Sequence, residues 1–335
     1  MKIFIEIPTW LGDAVMTSPA IENIIKTYPK AKLTLFGSFV SSEVLKRHPN
    51  VEETILDDSK LSGNRYKNLW TLAKNAKKFD LAFSFRKNFT TKFLMFFLKS
   101  KKKFIYKRYT KAKRHQVLRY NDFINKSLDI NLEANDLKLY FKKFNFAKPT
   151  LGLSPGAAYG SAKRWYPKEF AKVALGLHKK YNIVILGSKN EVKIASEIEK
   201  ELRKNKVKNY TNLVGNTSIQ ELVEIIAGLS IILTNDSGPL HISAAFKIKT
   251  LAIFGPTDFT ESSGWHNDNE IIIKKNLPCM PCAKRVCPLK HHKCMKELKA
   301  KDVLASLDKA NDLNIKIKGE EKINPKKSIN SKNIK

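Results

Sequence analysis

Twice along the chain, short apolar runs alternate with longer segments of helical period, and a proline-bearing stretch separates the two series. In the first half, Ile3–Ile7, Lys32–Phe36, Leu81–Ser84 and Lys103–Tyr106 predict strands. Ala14–Thr27, Phe39–Arg47, Tyr66–Lys77 and His115–Leu128 predict the helices between them. Asn145–Thr150, which carries Pro149, reads as a linker. The second series has strands at Leu151–Ser154, Ile183–Leu186, Ile231–Thr234 and Thr250–Phe254. Its helices fall at Pro167–Tyr181, Glu191–Arg203, Ile219–Gly228 and Pro239–Phe246. Strands alternating with helices pair in parallel and are covered on both faces. The fold class is therefore α/β, with two Rossmann-like domains facing a central cleft. Residues 1–148 form the first domain and 149–313 the second, which ends in a helix near Ala300–Leu313. Residues 314–335 are polar, rich in lysine and free of aromatics, the composition of a disordered basic tail.

A chain of 335 residues, 42% hydrophobic, has enough apolar material for two cores. The densest apolar patch, "FLMFFL" at Phe93–Leu98, is far too short to span a membrane. The N-terminus reads as a strand with an early Glu6, not as a leader, which predicts a cytoplasmic protein. There are 62 Lys and Arg against 31 Asp and Glu, a formal net charge of +31. Such a field attracts polyanions: nucleic acid, an anionic membrane or an acidic substrate. The equally plain reading is compositional bias, since Lys, Asn, Ile and Phe are abundant together.

In open α/β sheets, ligands sit beyond the carboxyl ends of strands, so the loops there carry the chemistry. The first such loop is "PTWLGDAV". Gly12 permits a tight turn or close approach, and Asp13 stands at the start of the next helix. Asp13 either caps that helix or faces the cleft as a general base. Burial would raise its pKa and a nearby lysine would lower it. The second loop, "SPGAAYGSAKRWYPKEF", places Lys163 and Arg164 among glycines, a phosphate site if its amides converge. The third, "ILTNDSGPLHISAAF", runs from a buried strand through Asn235, Asp236, Ser237 and Gly238 into a helix. The free first-turn amides of that helix favour phosphate. Asp236 would be repelled by phosphate, which leaves it sugar hydroxyls to accept from; His241 either donates to phosphate or packs beneath the loop. "ILGSKNE", with Gly187, and "IFGPTD" line the same cleft.

The order "GD", "GAxxxxAKRW", "NDSGPLHISAA" and "FGPTD" resembles the ADP-heptose glycosyltransferases of lipopolysaccharide core assembly, across about residues 1–310. "PTWLGD", "NDSG" and "CMPCAKRVCPLKHHKCM" look most like the heptosyltransferase II branch. The resemblance implies a GT-B fold, an ADP-heptose donor and inversion at the anomeric carbon. The implied acceptor is the first heptose of the inner core on Kdo-lipid A, reached from the cytoplasmic face of the inner membrane by a peripheral enzyme. By position, Asp13 matches the catalytic base. Lys163 matches the lysine that meets the diphosphate, and Asp236 the carboxylate that holds the heptose. Ser237, Gly238 and His241 match the phosphate turn. Gly187, Ser188 and Thr217 complete the donor set. Two departures stand out. "RWYP" replaces "RWP", and Ser188-Lys189 replaces an acidic ribose contact, leaving backbone groups or Glu191 for that task. No D-x-D motif is present, so no metal or other cofactor is expected for the chemistry.

Cys279, Cys282, Cys287 and Cys294 lie within one short stretch, with His291 and His292. Structural zinc, a disulfide and free packed thiols are the three readings, and the spacing is not a common zinc arrangement. Lys99–Arg119 holds ten Lys and Arg and no acid. It is either a solvated basic face or the acceptor and membrane side, with Lys101, Lys103, Arg108, Lys113 and Arg114 as acceptor contacts. The competing class is a non-enzymatic basic protein that binds nucleic acid or membrane, or else another nucleotide-sugar transferase of the same family, such as heptosyltransferase I. No stacking platform or helix-turn-helix pattern favours nucleic acid.

Overall fold

Ile3, Phe4 and Ile5 are fully buried in succession, as a strand covered by helices on both faces requires. The structure, a computed structural model, describes residues 1–61 and 63–323. Its first lobe runs β1 (Lys2–Glu6), α1 (Leu11–Met16), α2 (Ser18–Thr27), β2 (Lys32–Gly37), α3 (Phe39–Leu45) and β3 (Val51–Leu56). It continues with α4 (Arg65–Asn75), β4 (Phe79–Ser84), α5 (Phe89–Phe97), β5 (Ser100–Ile105) and α6 (Gln116–Leu128). The second lobe runs β6 (Thr150–Ser154), α7 (Pro167–Leu177), β7 (Asn182–Ile185), α8 (Val192–Lys204), β8 (Tyr210–Asn212), α9 (Ile219–Gly228) and β9 (Ile231–Asn235). It ends with α10 (Gly238–Ala245), β10 (Lys249–Ile253), α11 (Phe259–Ser262), β11 (Glu270–Ile273), α12 (Lys293–Lys296) and α13 (Ala300–Ile323).

Every strand pairing is parallel, in the orders β3-β2-β1-β4-β5 and β11-β10-β9-β6-β7-β8. The α/β class and the paired Rossmann-like sheets match the expectation. Several elements differ from it. The predicted helix Ala14–Thr27 is two helices, broken where Thr17 Oγ1 donates to Ala14 O and Pro19 follows. Strands β3, β8 and β11 escaped the pattern because they are edge strands and only partly buried. Tyr166 is the N-cap of α7, with Pro167 in its first turn, so the extra residue in "RWYP" leaves the helix start where it was expected. α13 continues past Leu313 to Ile323, with no proline until Pro325; the rest of the expected tail, residues 324–335, lies outside the described residues.

The lobes share a core. One apolar cluster joins Ala14, Val15 and Leu45 of the first to Val223, Ile226 and Ile242 of the second. Around it, Arg47 pairs with Glu224, and Gln220 Nε2 donates to Glu43. The linker is held in the same way, its Phe144 amide donating to Glu224 O at 2.9 Å. Gly228 makes that crossing possible, since a methyl group there would sit 2.0 Å from Phe144 O. Backbone cannot yield as a side-chain end does, so Gly228→Ala is expected to destabilise the protein by about 1–3 kcal/mol, read as a lower urea midpoint with unchanged m.

Candidate functional site

Sheet order decides which loops meet. β6 lies between β7 and β9, so the loops after all three strands are neighbours at one end of the second sheet. The loop after β9 is fixed from below by Asn235. Its amide donates to Pro155 O and Gly156 O, and its Oδ1 accepts from the Trp165 amide at 3.1 Å. Trp165 itself is fully buried, with Nε1 bonded to Leu298 O. These bonds lock the Lys163 loop to the Asp236 turn.

Lys163 Nζ then lies 2.6 Å from Asp236 Oδ2, and Thr257 Oγ1 donates to the same oxygen at 2.5 Å. Asp236 is only 3% exposed, so this is a cation and carboxylate held together out of water. Lys163 also lies over the Tyr159 ring. Ser237 is extended and α10 begins at Gly238. His241 is buried beneath that first turn with its Nδ1 unpartnered. Burial pushes its pKa down to about 4, against the opposing pull of Asp236. Burial thus favours the neutral imidazole.

The first lobe presents α1 directly against this turn. A methyl group at Gly12 would lie 2.6 Å from His241 Cδ2, and one at Gly238 would lie 2.7 Å from Leu11 Cδ2. Two glycines thus let two helix N-termini meet. Asp13 stands in the first turn of α1, half-buried, and makes no hydrogen bond or ion pair among the described residues. It caps nothing. Burial pushes its carboxyl up to about 6; Lys163 pulls the other way and Asp236 adds to the rise. Asp13 and the Lys163–Asp236 pair therefore feel each other across the lobes.

Gly187 and Ser188 follow β7. Glu191 Oε2 accepts from the Ser188 amide at 2.6 Å in a capping box, so Glu191 already has a structural task there. The Gly187 carbonyl accepts from the Gly215 amide, and Thr217 lies just before Ser218, the N-cap of α9. These residues line one side of the loop cluster, apart from the Lys163–Asp236 pair.

The five basic acceptor candidates take separate partners. Lys101 pairs with Asp80 at the amino ends of the strands, where Asp80 also accepts from the Lys2 amide. Lys103 Nζ bonds Phe96 O. Arg108 closes its own loop on the carbonyls of Thr110, Lys111 and Ala112. Arg114 pairs with Asp122. Lys113 reaches the other lobe, but as an ion pair to Asp258 at 2.9 Å. Proximity in sequence placed these cations together; strand direction and neighbouring carboxylates part them.

Sequence reasoning missed Arg285. The cysteine stretch folds onto the Lys163 loop, where Ala162 N donates to Arg285 O and Tyr159 Oη to Ala283 O. The Arg285 guanidinium lies 5.9 Å from the Trp10 ring centre and 5.2 Å from that of Tyr159, bridging the lobes at the cleft mouth. No local spacing ties position 285 to position 10. The cysteines are free thiols, and among the described residues no three His, Cys, Asp or Glu side chains gather as a metal site.

Residues 98–293 match glycosyltransferase family 9 (heptosyltransferase). A lipooligosaccharide heptosyltransferase 2 of Campylobacter jejuni serotype O:2 is 46% identical over 91% of this chain and 96% of its own length. The lipopolysaccharide heptosyltransferase 2 of Escherichia coli K12 is 26% identical over 78% of this chain and 85% of its own. Among solved structures, E. coli ADP-heptose lps heptosyltransferase II superposes with a TM-score of 0.76 at 22% identity, covering 92% of this chain and 98% of that one. E. coli heptosyltransferase WaaC with ADP gives 0.74 at 16% identity, covering 92% and 99%.

The raised Asp13 pKa has a consequence for stability. The folded state holds this proton more tightly than the free value of 3.8 would, up to about 6. Ionising Asp13 above pH 6 therefore costs stability, and the cost fades as pH falls from 6 towards 4. Asp13→Asn is expected to raise stability by on the order of 1 kcal/mol at pH 7.5, allowing for partial solvent screening. The gain should be gone by pH 4, as thermal melts across that range would record.

Proposed function

Because the chain belongs to glycosyltransferase family 9, the heptosyltransferases, we propose that it moves heptose from ADP-heptose onto the first heptose of the lipopolysaccharide or lipooligosaccharide inner core, with inversion and with Asp13 as general base. The chain is a glycosyltransferase, which sets aside the non-enzymatic reading. One observation carries the proposal: the unpaired carboxylate of Asp13 on one lobe faces the Lys163–Asp236 pair and the α10 N-terminus on the other.

In this scheme the acceptor hydroxyl attacks the anomeric carbon from the face opposite ADP. The new C–O bond forms as the bond to the diphosphate oxygen breaks, and Asp13 takes the hydroxyl proton. Negative charge grows on the departing ADP. Lys163 and the first-turn amides of Ser237 and Gly238 are fixed where that charge develops, which is preorganised stabilisation. Asp236 Oδ1, which has no partner among the described residues while Lys163 and Thr257 share Oδ2, is left for heptose hydroxyls. Gly187, Ser188 and Thr217 line the nucleoside end. Beside the basic candidates Lys101, Lys103, Arg108, Lys113 and Arg114, Arg285 is a further cation for the acidic part of the acceptor. It is exposed, and no carboxylate pairs with it among the described residues.

The test is transfer from ADP-heptose to truncated cores. Acceptor ending in the first heptose should be used, and transfer onto Kdo alone would favour a heptosyltransferase I-type activity. Asp13→Ala should keep ADP affinity and lose on the order of 10²–10⁴ in turnover. Turnover within a few-fold of the parent would remove Asp13 as base. Lys163→Met should weaken ADP binding and cost roughly 10²–10³ in rate. Since the base must be ionised, turnover should fall about tenfold per pH unit below about 6, the raised value for Asp13.

A further inference from the structure

Helix α5 is apolar on two sides. Thr91, Leu94 and Met95 turn into the core, with Leu98 just beyond the helix end. Phe89, Phe93, Phe96 and Phe97 form a second stripe at helical spacing, and it is not covered: Phe89 is 69% exposed and Phe96 75%. The stripe continues onto α4. Tyr66 meets the rings of Phe89 and Phe93 at 6.0 and 5.1 Å, and Phe97 packs on Phe93 and Phe96, each at 4.9 Å. Trp70, one turn beyond Tyr66, is exposed beneath Lys74 Nζ. A surface helix ordinarily shows water its polar side. Here two adjacent helices show water a row of rings.

The sequence around those rings is rich in lysine, and the carboxylates nearest the two helix ends, Asp57 and Glu52/Glu53, are already paired with Arg65, Arg86 and Lys77. There is no acid between Ser59 and Lys78, and none from Leu81 to Asn121. Lys67, Lys87 and Lys92 have no carboxylate partner among the described residues. The stripe is also oriented. α4 follows β3 and α5 follows β4, so Tyr66 and Phe89 stand at the carboxyl ends of the strands, the cleft side. Phe96 and Phe97 trail away from it.

We propose that this α4–α5 face docks on an anionic lipid bilayer, presenting the cleft rim to an acceptor held in that membrane; the second clause rests on the function proposed above. Aromatic rings favour the membrane interface, and lysines beside them reach anionic headgroups while their stems cover apolar surface. A helix with this composition lies in the plane of the interface. A second copy of the chain is a poor occupant, because two faces that each carry the uncompensated Lys67, Lys87 and Lys92 would repel each other.

The experiment is co-sedimentation of the full chain with phosphatidylglycerol vesicles and with phosphatidylcholine vesicles. The parent protein should bind the former and be released by salt. Phe89→Ser with Phe96→Ser changes only the two most exposed rings of α5 and should weaken partitioning roughly tenfold or more. Lys67→Glu with Lys92→Glu should do the same without touching an apolar side chain. Both variants should transfer heptose normally to a water-soluble, deacylated acceptor. Unchanged sedimentation of the serine pair, or a parent that binds neither vesicle, overturns the proposal. So does a parent dimer in sedimentation velocity that the serine pair dissociates with vesicle binding intact. Failure of the parent to act on the soluble acceptor would instead sink the proposed function and leave the vesicle result standing.

Discussion

Two helix N-termini meet end to end in this protein, and the rest of the site follows from that contact. α1 and α10 approach so closely that neither Gly12 nor Gly238 has room for a methyl group. Both ends carry free amides and partial positive charge, so they repel unless something negative lies between or beside them. Asp13, in the first turn of α1, supplies one such charge. A diphosphate at α10 would supply the other. The fold thus brings like poles together, and the shared apolar core beneath them bears the cost.

Lys163 and Asp236 set the electrostatics of that junction. Alone, Lys163 would lower the Asp13 pKa; partnered with Asp236, its pull is partly cancelled and burial prevails. The result is a carboxylate poised near 6, still ionised at neutral pH and more basic than an ordinary aspartate. Thr257 completes the arrangement by donating to the same Asp236 oxygen that pairs with Lys163.

Much of this was legible in the sequence, and the limits were physical. The strand–helix alternation gave the fold class because parallel strands buried on both faces have few other solutions. The motifs at Asp13, Lys163 and Asp236 were visible because each follows a buried strand, and sheet order then had to bring the last two together. Edge strands such as β3 and β8 were not visible, since half-exposed strands lack an apolar run. Arg285 was hidden because its partners, Trp10 and Tyr159, are fixed only by three-dimensional packing of the cysteine stretch. The partners of the basic stretch were hidden for the same reason: neighbours in sequence along β5 and its loop find carboxylates far apart in the fold, Lys101 at Asp80 and Lys113 at Asp258 of the other lobe.

The charge excess admits a sharper reading once it is placed on the fold. Compositional bias would scatter 31 acids along 335 residues, yet none falls from Leu81 to Asn121. The second lobe, by contrast, carries Glu197, Glu199 and Glu201 on a single helix, α8. The asymmetry is between surfaces, not merely between counts. Within the basic region the lysines are not interchangeable either. Lys101 has Asp80, and Lys99 and Lys103 have backbone carbonyls, whereas Lys67, Lys87 and Lys92 border the exposed rings of α4 and α5 with no carboxylate of their own. Bias in composition supplies lysines; it does not keep acids out of residues 81–121 and line an exposed helix there with phenylalanine. An anionic partner with an apolar interior satisfies both features at once.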